Sequence, residues 1–448
     1  MKAAKNMVGS LVVLTLLGST LAACSKEAAP TVKSNVPSEA DLLKEPVTLV
    51  FKSQFDDSME KFNERYGDRI RAKFPNVTVK FLPREKDLDI RELVAAGTNP
   101  DIMYGNTSQI DQFLVETGLA YDMTELIKKY NYDLNRFEPA LLDNLKNVSA
   151  PGMLYGLPMP WAGAQIMYYN KALFDRFGVP YPKDGMTWDE VYELAKKMTR
   201  VNGDETYRGF SSFISAVLRD NQLSLPYLDP KADKMADNEK WKRLFTNLSR
   251  FYEITGNNRD TKNRSQNTES QAFEKGNVAM QINQFNKFPT FPPNLEWDMV
   301  SMPVFADGPK VGSQAASNYW FITKTNQHKD ISFQIIKYLL SDELQLEAAK
   351  SDATLPSLKK GSVNLEVLGQ NVPALKGKHT QAVYYYAPAP AMPRREPNLP
   401  GADPNVLKTT MEEAFNRVVI DKLDVNSALR EASDKFDKAA AEKKNSSK

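Results

Sequence analysis

Short β-branched runs alternate with stretches of helical spacing from residue 47 onward, and no other feature narrows the possible folds as much. Val47-Thr48-Leu49-Val50-Phe51 reads as a strand, Asp56 to Phe74 as a helix, and Asn76 to Leu82 alternates as a second strand. A helix over Leu88 to Ala96 ends at Gly97, Asp101 to Tyr104 is strand-like, and Asp111 to Glu116 is helical behind it. This order predicts an α/β layer in which helices cover a mainly parallel sheet.

A second set begins at Met153. Leu154 to Pro158 and Gln165 to Tyr169 read as strands, and Lys171 to Phe177 as a helix closed by Gly178. Thr187-Trp188-Asp189-Glu190 is a capping box opening a helix through Met198. Trp241 to Ile254 is amphipathic, Glu269 to Lys275 stops at Gly276, and Val278 to Ile282, Trp297 to Met302 and Asn318 to Thr323 are strand candidates. A long helical pattern over Ile331 to Lys350 breaks near Ser341, and Val406 to Val419 is helical again. Between Ala353 and Asn405 prolines are dense and periodicity is weak, and Ala439 to Lys448 reads as a charged tail that frays. A chain of 448 residues exceeds what one core usually organises, so two lobes with a cleft between them are expected. Lys plus Arg number 58 against 56 Asp plus Glu, which leaves no field for gathering nucleic acid.

The N-terminus reads as an export signal. Lys2 and Lys5 precede an apolar run from Met7 to Leu21, too short and too interrupted for a spanning helix of about 20 residues. Leu21-Ala22-Ala23-Cys24 resembles the bacterial lipobox, which implies cleavage before Cys24 and diacylglycerol on its thiol. Cys24 is the only cysteine, so no disulfide braces the fold. Residues 1–24 are then a lipoprotein signal peptide, and Ser25 to Pro46, rich in Ala, Pro, Ser and charge, a flexible tether.

Catalytic constellations are missing from the pattern. The two histidines, His328 and His379, stand in no metal or relay spacing, and neither a Gly-x-Ser-x-Gly elbow nor a phosphate loop occurs. Acid pairs such as Asp56-Asp57 and Asp189-Glu190 could be nominated for glycoside hydrolysis, yet capping of helix N-termini accounts for both. No enzyme activity, metal or cofactor is expected. What remains is aromatic and amide content near strand ends, which suits sugars: their hydroxyls need Asn, Gln, Asp and Arg, and their C–H faces need planar rings. Trp161, on a loop after Pro158-Met159-Pro160, serves equally as a platform or as core packing, and so does Trp320.

Several stretches together resemble the family 1 extracellular solute-binding proteins, the maltose-binding-protein type of ABC-importer receptor. They are Asn99-Pro100-Asp101-Ile102-Met103-Tyr104 with Gly118-Leu119-Ala120, then Gly156-Leu157-Pro158 with Met167 to Phe174, Gly178 and Thr187 to Glu190, and finally Ala272 to Met280. The resemblance implies a two-lobed periplasmic-binding-protein-like fold with mixed sheets flanked by helices and a ligand cleft at the hinge. It places lobe one at residues 47–163 and 312–350, and lobe two at 164–311 and 351–448. It further implies capture of a mono- or oligosaccharide by hinge closure, delivery to a membrane permease, and a monomer anchored on the extracytoplasmic face of the cell membrane. Carried over motif by motif, the ligand-binding candidates are Gln54 and Asp56, Asn106 and Ser108, Trp161, Asn283 and Phe285, and Asn318 and Trp320. Tyr384 is added from Val383-Tyr384-Tyr385-Tyr386, which, like the proline-rich stretch to Pro404, matches no family pattern. A receptor for a peptide or another polar solute, or a glycan-processing surface enzyme, is the alternative reading.

Overall fold

In β1 (Val47–Ser53) the side chains of Val47, Leu49 and Phe51 turn inward, and its parallel neighbour β2 (Val77–Leu82) buries Val77, Val79 and Phe81 in step. The period of two that marks both runs in the sequence is thus the period of one buried face. The computed structural model describes residues 36–42, 44–55, 57–83, 90–107, 110–203, 205–259, 264–396, 399 and 401–446.

Two sheets organise the chain. The first has the order β2-β1-β3-β11-β4, with β3 spanning Ile102–Asn106, β4 Gly156–Pro158 and β11 Asn318–Ile322. The second has the order β10-β5-β9-β8, with β5 spanning Gln165–Asn170, β8 Ser211–Ser212, β9 Met280–Gln284 and β10 Trp297–Ser301. A small hairpin pairs β6 (Arg200–Asn202) with β7 (Glu205–Tyr207). Both sheets are mixed, as the family resemblance implies, and not the mainly parallel layer that the alternation alone suggests. β11 enters antiparallel between β3 and β4, and β5 is antiparallel to both of its neighbours.

Helices α1 (Glu39–Leu42), α2 (Met59–Phe62), α3 (Asp68–Lys73), α4 (Ile90–Ala95), α5 (Thr124–Lys129) and α6 (Pro139–Val148) accompany the first sheet. With the second come α7 (Lys171–Phe177), α8 (Trp188–Met198), α9 (Ile214–Arg219), α10 (Asn238–Ser249) and α11 (Gln266–Ala272). The chain then returns through α12 (Lys329–Leu339) and α13 (Asp342–Asp352) and finishes with α14 (Pro404–Val419) and α15 (Val425–Ser446). Local signals account for many boundaries. Gly178 closes α7 at φ +65, the Thr187–Glu190 box opens α8 with both reciprocal bonds, and Ser341 caps α13 at the predicted break.

Burial separates into three clusters. Phe51, Phe62, Phe81 and Trp320 lie in the first, around the first sheet. Trp188, Phe210, Trp241 and Phe251 lie in the second, which Met411, Phe415, Leu429 and Phe436 of α14 and α15 complete. The third covers the other face of the second sheet, where Ile166, Tyr168, Phe285 and Trp297 meet Leu368, Leu375 and Val383. The proline-rich stretch without periodicity is therefore core material, folded as single-turn helices over 365–367, 373–375 and 380–384.

Two further expectations change. The tail expected to fray is helical through Ser446, as the continuation of α15, which Leu429, Ala432, Phe436 and Ala440 anchor through a buried stripe up to residue 440. Within the stretch read as a tether, residues from Ser38 onward belong to the body, and Leu42 packs against the first cluster. Farther along, residues 390–396 form a strap between the bodies of the two sheets. Arg394 donates to the Lys146 and Ser149 carbonyls at 3.3 and 2.6 Å, while Arg395 donates to the Ala232 carbonyl at 2.9 Å and pairs with Asp233.

Candidate ligand site

Strand register fixes where a site can lie. In the first sheet Ser53 pairs with Tyr104, Asn318 with Asn106 and Tyr319 with Pro158, which brings the ends of β1, β3 and β4 and the start of β11 to one edge. In the second, Gln165 pairs with Gln284, Ser301 with Ile166 and Ser212 with Ile282, which gathers the start of β5 and the ends of β8, β9 and β10. Residues 159–164 and 302–317 connect these two edges, so the edges face each other where α/β sheets place ligands.

On the first edge stand three of the nominated residues, Gln54, Asn106 and Asn318. Gln54 is anchored at both ends: its backbone amide donates to the Tyr104 carbonyl at 2.9 Å, and its Oε1 accepts from the Asn106 amide at 2.8 Å. This requires glycine at 105, because a Cβ there would lie 2.0 Å from that Oε1. Beside it, Tyr104 donates its hydroxyl to Asp57 at 2.7 Å, and burial raises the phenol pKa so that it stays a donor. Asp56 and Ser108 lie outside the described residues, as does Cys24.

Three other nominees are taken up by structure. Trp320 is 1 % exposed, with its ring centroid 4.9 Å from those of Tyr66 and Tyr104, inside the first core. Phe285 is fully buried against Phe288 in the third cluster, and its carbonyl accepts from Tyr168 at 2.6 Å. Asn283 spends both amide protons internally, on Ser270 Oγ and Gln281 Oε1, each at 3.0 Å. It belongs to a network under α11 in which Gln281 also bonds Ser211 and Arg208 clasps Glu269 through two bonds of 2.9 Å. Sequence assigns these residues to a strand end but not to a face, and the faces they take are inward. Trp161 exchanges backbone bonds with Leu355 and lines a small cavity with Tyr384.

At the second edge lies a pocket of about 390 Å³ that the sequence reading missed. α9 starts just after β8, and residues at the starts of α9 and α11 line one pocket. Phe213 and Ser215 line the pocket at the start of α9, Arg264 just ahead of α11 and Gln266 in its first turn, and Lys408 and Glu412 from α14. Arg264 donates to Glu413 at 2.7 Å and to Asp421 at 2.9 Å. Lys408 and Glu412 form no ion pair among the described residues, and the Gln266 Oε1 is buried without a partner. Two cations, Arg264 and Lys408, offset two carboxylates, Glu412 and Glu413, so the lining is charge-balanced. The available signal was Lys408, Glu412 and Asn416 at intervals of four on one helix face.

Two mixed sheets facing each other across paired connections, with a polar pocket at the strand ends, define a two-lobed solute-binding architecture. The family model for bacterial extracellular solute-binding proteins matches residues 52–346, and the chain belongs to that family. A Brucella abortus (strain 2308) protein named as a binding protein is 23 % identical over 320 residues, covering 66 % of this chain and 72 % of its own. Among solved structures, a Rhizobium etli sugar transporter in an open conformation superposes with a TM-score of 0.67 at 19 % identity, over 87 % of this chain and 98 % of the other. A Listeria monocytogenes ABC substrate-binding protein in complex with cycloalternan gives 0.65 at 19 %, over 88 % and 99 %. Likeness at such identity shows the fold. Among the described residues no helix is long and apolar enough to cross a membrane.

Proposed function

We propose that the protein is the capturing receptor of an ABC importer, that its ligand is a mono- or oligosaccharide, and that binding closes the two lobes. The observation that carries the reading is the charge-balanced pocket of about 390 Å³ at the second edge. Glu412 and the unmatched Gln266 Oε1 accept from sugar hydroxyls, Lys408 donates to them, and Phe213 offers an apolar face to the ring. A lining without net charge suits a neutral polyol better than a peptide with charged termini. The sugar-binding neighbours support the same class.

Closure demands contacts from both sides, because a ligand shifts a two-state equilibrium only through its preference for one state. Gln54, Asn106 and Asn318 supply the first side, with Asp56 and Ser108 two residues further along the sequence from the first two. Lobe one is then 47–163 with 312–350, and lobe two 164–311 with 351–448. Cys24 carries the lipid that holds the receptor, a monomer, on the extracytoplasmic face of the cell membrane, where it meets permease subunits and takes no part in chemistry or nucleic-acid binding.

Calorimetric titration of the chain lacking residues 1–24 with mono- and oligosaccharides and with peptides tests this. One sugar series should bind without product appearing on chromatography, and Glu412→Gln or Lys408→Ala should weaken it about 10- to 100-fold, the worth of one bond to a charged group. Silence with every sugar, together with peptide binding or a released product, overturns the proposal.

A further inference from the structure

The strap over residues 390–396 is fastened to the two bodies by different means. On the second body it is held through its own backbone as well as through a side chain. The Glu396 amide donates to the Pro230 carbonyl at 2.9 Å, and the Pro390 carbonyl accepts from Ser224 Oγ at 2.6 Å. Arg395 adds its bond to the Ala232 carbonyl at 2.9 Å and its pair with Asp233. These partners flank Leu228, which with Met235 is part of the second core.

On the first body the strap is held by side chains. Arg394 donates to the Ser149 and Lys146 carbonyls at 2.6 and 3.3 Å, and Asn147 Nδ2 donates to the Met392 carbonyl at 2.6 Å. Lys146, Asn147 and Ser149 form the C-terminal end of α6, which sits on the first core through Leu142 and Leu145. Carbonyls at a helix C-terminus lack partners within the helix and carry the negative end of its dipole, so a guanidinium is matched to this place. Ahead of both grips the chain runs beside the second connection. There the Ala389 amide donates to the Ser313 carbonyl at 3.1 Å, and Gln314 Nε2 donates to the Pro390 carbonyl at 3.0 Å.

A swing of one body against the other keeps the bonds inside each body and strains those that span them. Of the two grips, the one on α6 gives way more readily. It rests on two side chains that can rotate, and the carbonyls it leaves stand at a helix end. We propose, resting on the hinged-receptor reading but on no particular ligand, that the strap travels with the second body and that Arg394 and Asn147 form a latch on α6. The latch stabilises the arrangement of the bodies seen in this structure and releases when they swing.

Distances between spin labels, measured by pulsed electron spin resonance, test this. The chain lacking residues 1–24 contains no cysteine, so Lys128→Cys on α5 and Glu239→Cys on α10, both exposed, place one label on each body. Arg394→Ala and, separately, Asn147→Ala should each move the ratio of this arrangement to others about three- to ten-fold toward the others, the worth of a hydrogen bond. Arg394→Lys keeps a cation at the helix end and should recover part of the shift. Arg395→Ala should change the ratio less than about two-fold, because the Glu396 amide and Ser224 still hold the strap to the second body. An unchanged ratio in both Arg394→Ala and Asn147→Ala overturns the latch, and an equal shift in Arg395→Ala overturns the attachment of the strap to the second body. A distance that added mono- and oligosaccharides move, but the latch variants do not, overturns the latch alone. One narrow distance in every variant, with or without those sugars, overturns the hinge together with the latch.

Discussion

Replacing Trp320 with alanine separates a core residue from a ligand platform. The indole is 1 % exposed and its centroid lies 4.9 Å from Tyr66, 4.9 Å from Tyr104 and 6.5 Å from Phe51. Truncating a buried tryptophan costs about 3–5 kcal/mol, and three ring contacts place this site toward the upper end. A chain of 448 residues unfolds with roughly 0.9 kcal/mol of free-energy change per degree near its midpoint. The expected loss is therefore about 4–6 °C by differential scanning calorimetry. Titration well below the midpoint should give a ligand affinity within about two-fold of the unsubstituted protein, because the ring reaches no open surface. An unchanged midpoint with affinity reduced ten-fold or more would refute the assignment of Trp320 to the core, and with it the use of burial to sort the candidates.

Other changes probe the edges and the scaffold. Gly105→Ala should push the Gln54 amide away from Asn106 and weaken ligand binding several-fold in the same titration, since the added Cβ would lie 2.0 Å from Gln54 Oε1. Glu269→Gln leaves Arg208 with its side chain 13 % exposed and no counter-charge, and should lower the midpoint by an amount matching about 3–5 kcal/mol; replacing both residues with methionine should recover most of that loss. Arg394→Ala with Arg395→Ala should speed amide hydrogen exchange at 146–149 and 229–233, where the strap is fastened; unchanged exchange would show that the strap holds nothing. The Thr187 backbone amide, and then its hydroxyl, hold the Glu190 pKa below the ordinary value, so this exposed carboxylate stabilises the fold above the usual glutamate range and loses its effect as pH falls through the depressed value. The midpoint gap between the unsubstituted chain and Glu190→Gln should accordingly be widest near neutrality and shrink in acid.

Local signals made much of the architecture legible. The capping box at Thr187, the glycine closing α7 and the break at Ser341 depend on neighbours within four residues, and sequence carries those neighbours directly. Legibility fell where the answer depends on distant chain. Asn283 and Phe285 lie beside a strand end, yet their orientation is set by Ser270 and by the proline-rich stretch that packs on the third cluster. That stretch shows no period because its single turns contribute isolated apolar residues such as Leu368 and Leu375. Gln54, Asn106 and Asn318 could be placed at one sheet edge because they follow, close and open a strand respectively. Lys408 and Glu412 share a helix face that their spacing shows, but that this face meets α9 and α11 is written in no local pattern.

The threading of β11 and of the last two helices has a consequence for how such a chain can be made. β4 joins the first sheet only through β11, so that sheet stays incomplete until residue 322 has been synthesised. The second core waits longer, since Met411, Phe415, Leu429 and Phe436 belong to it. Neither lobe can finish folding behind the ribosome while its missing piece is unmade, because long-range contacts come with a loop-closure cost that local structure does not repay. Late-closing cores keep the emerging chain slack through most of its synthesis. The order of strands in the finished sheet thereby sets a delay in folding, and Phe436 marks where the delay ends.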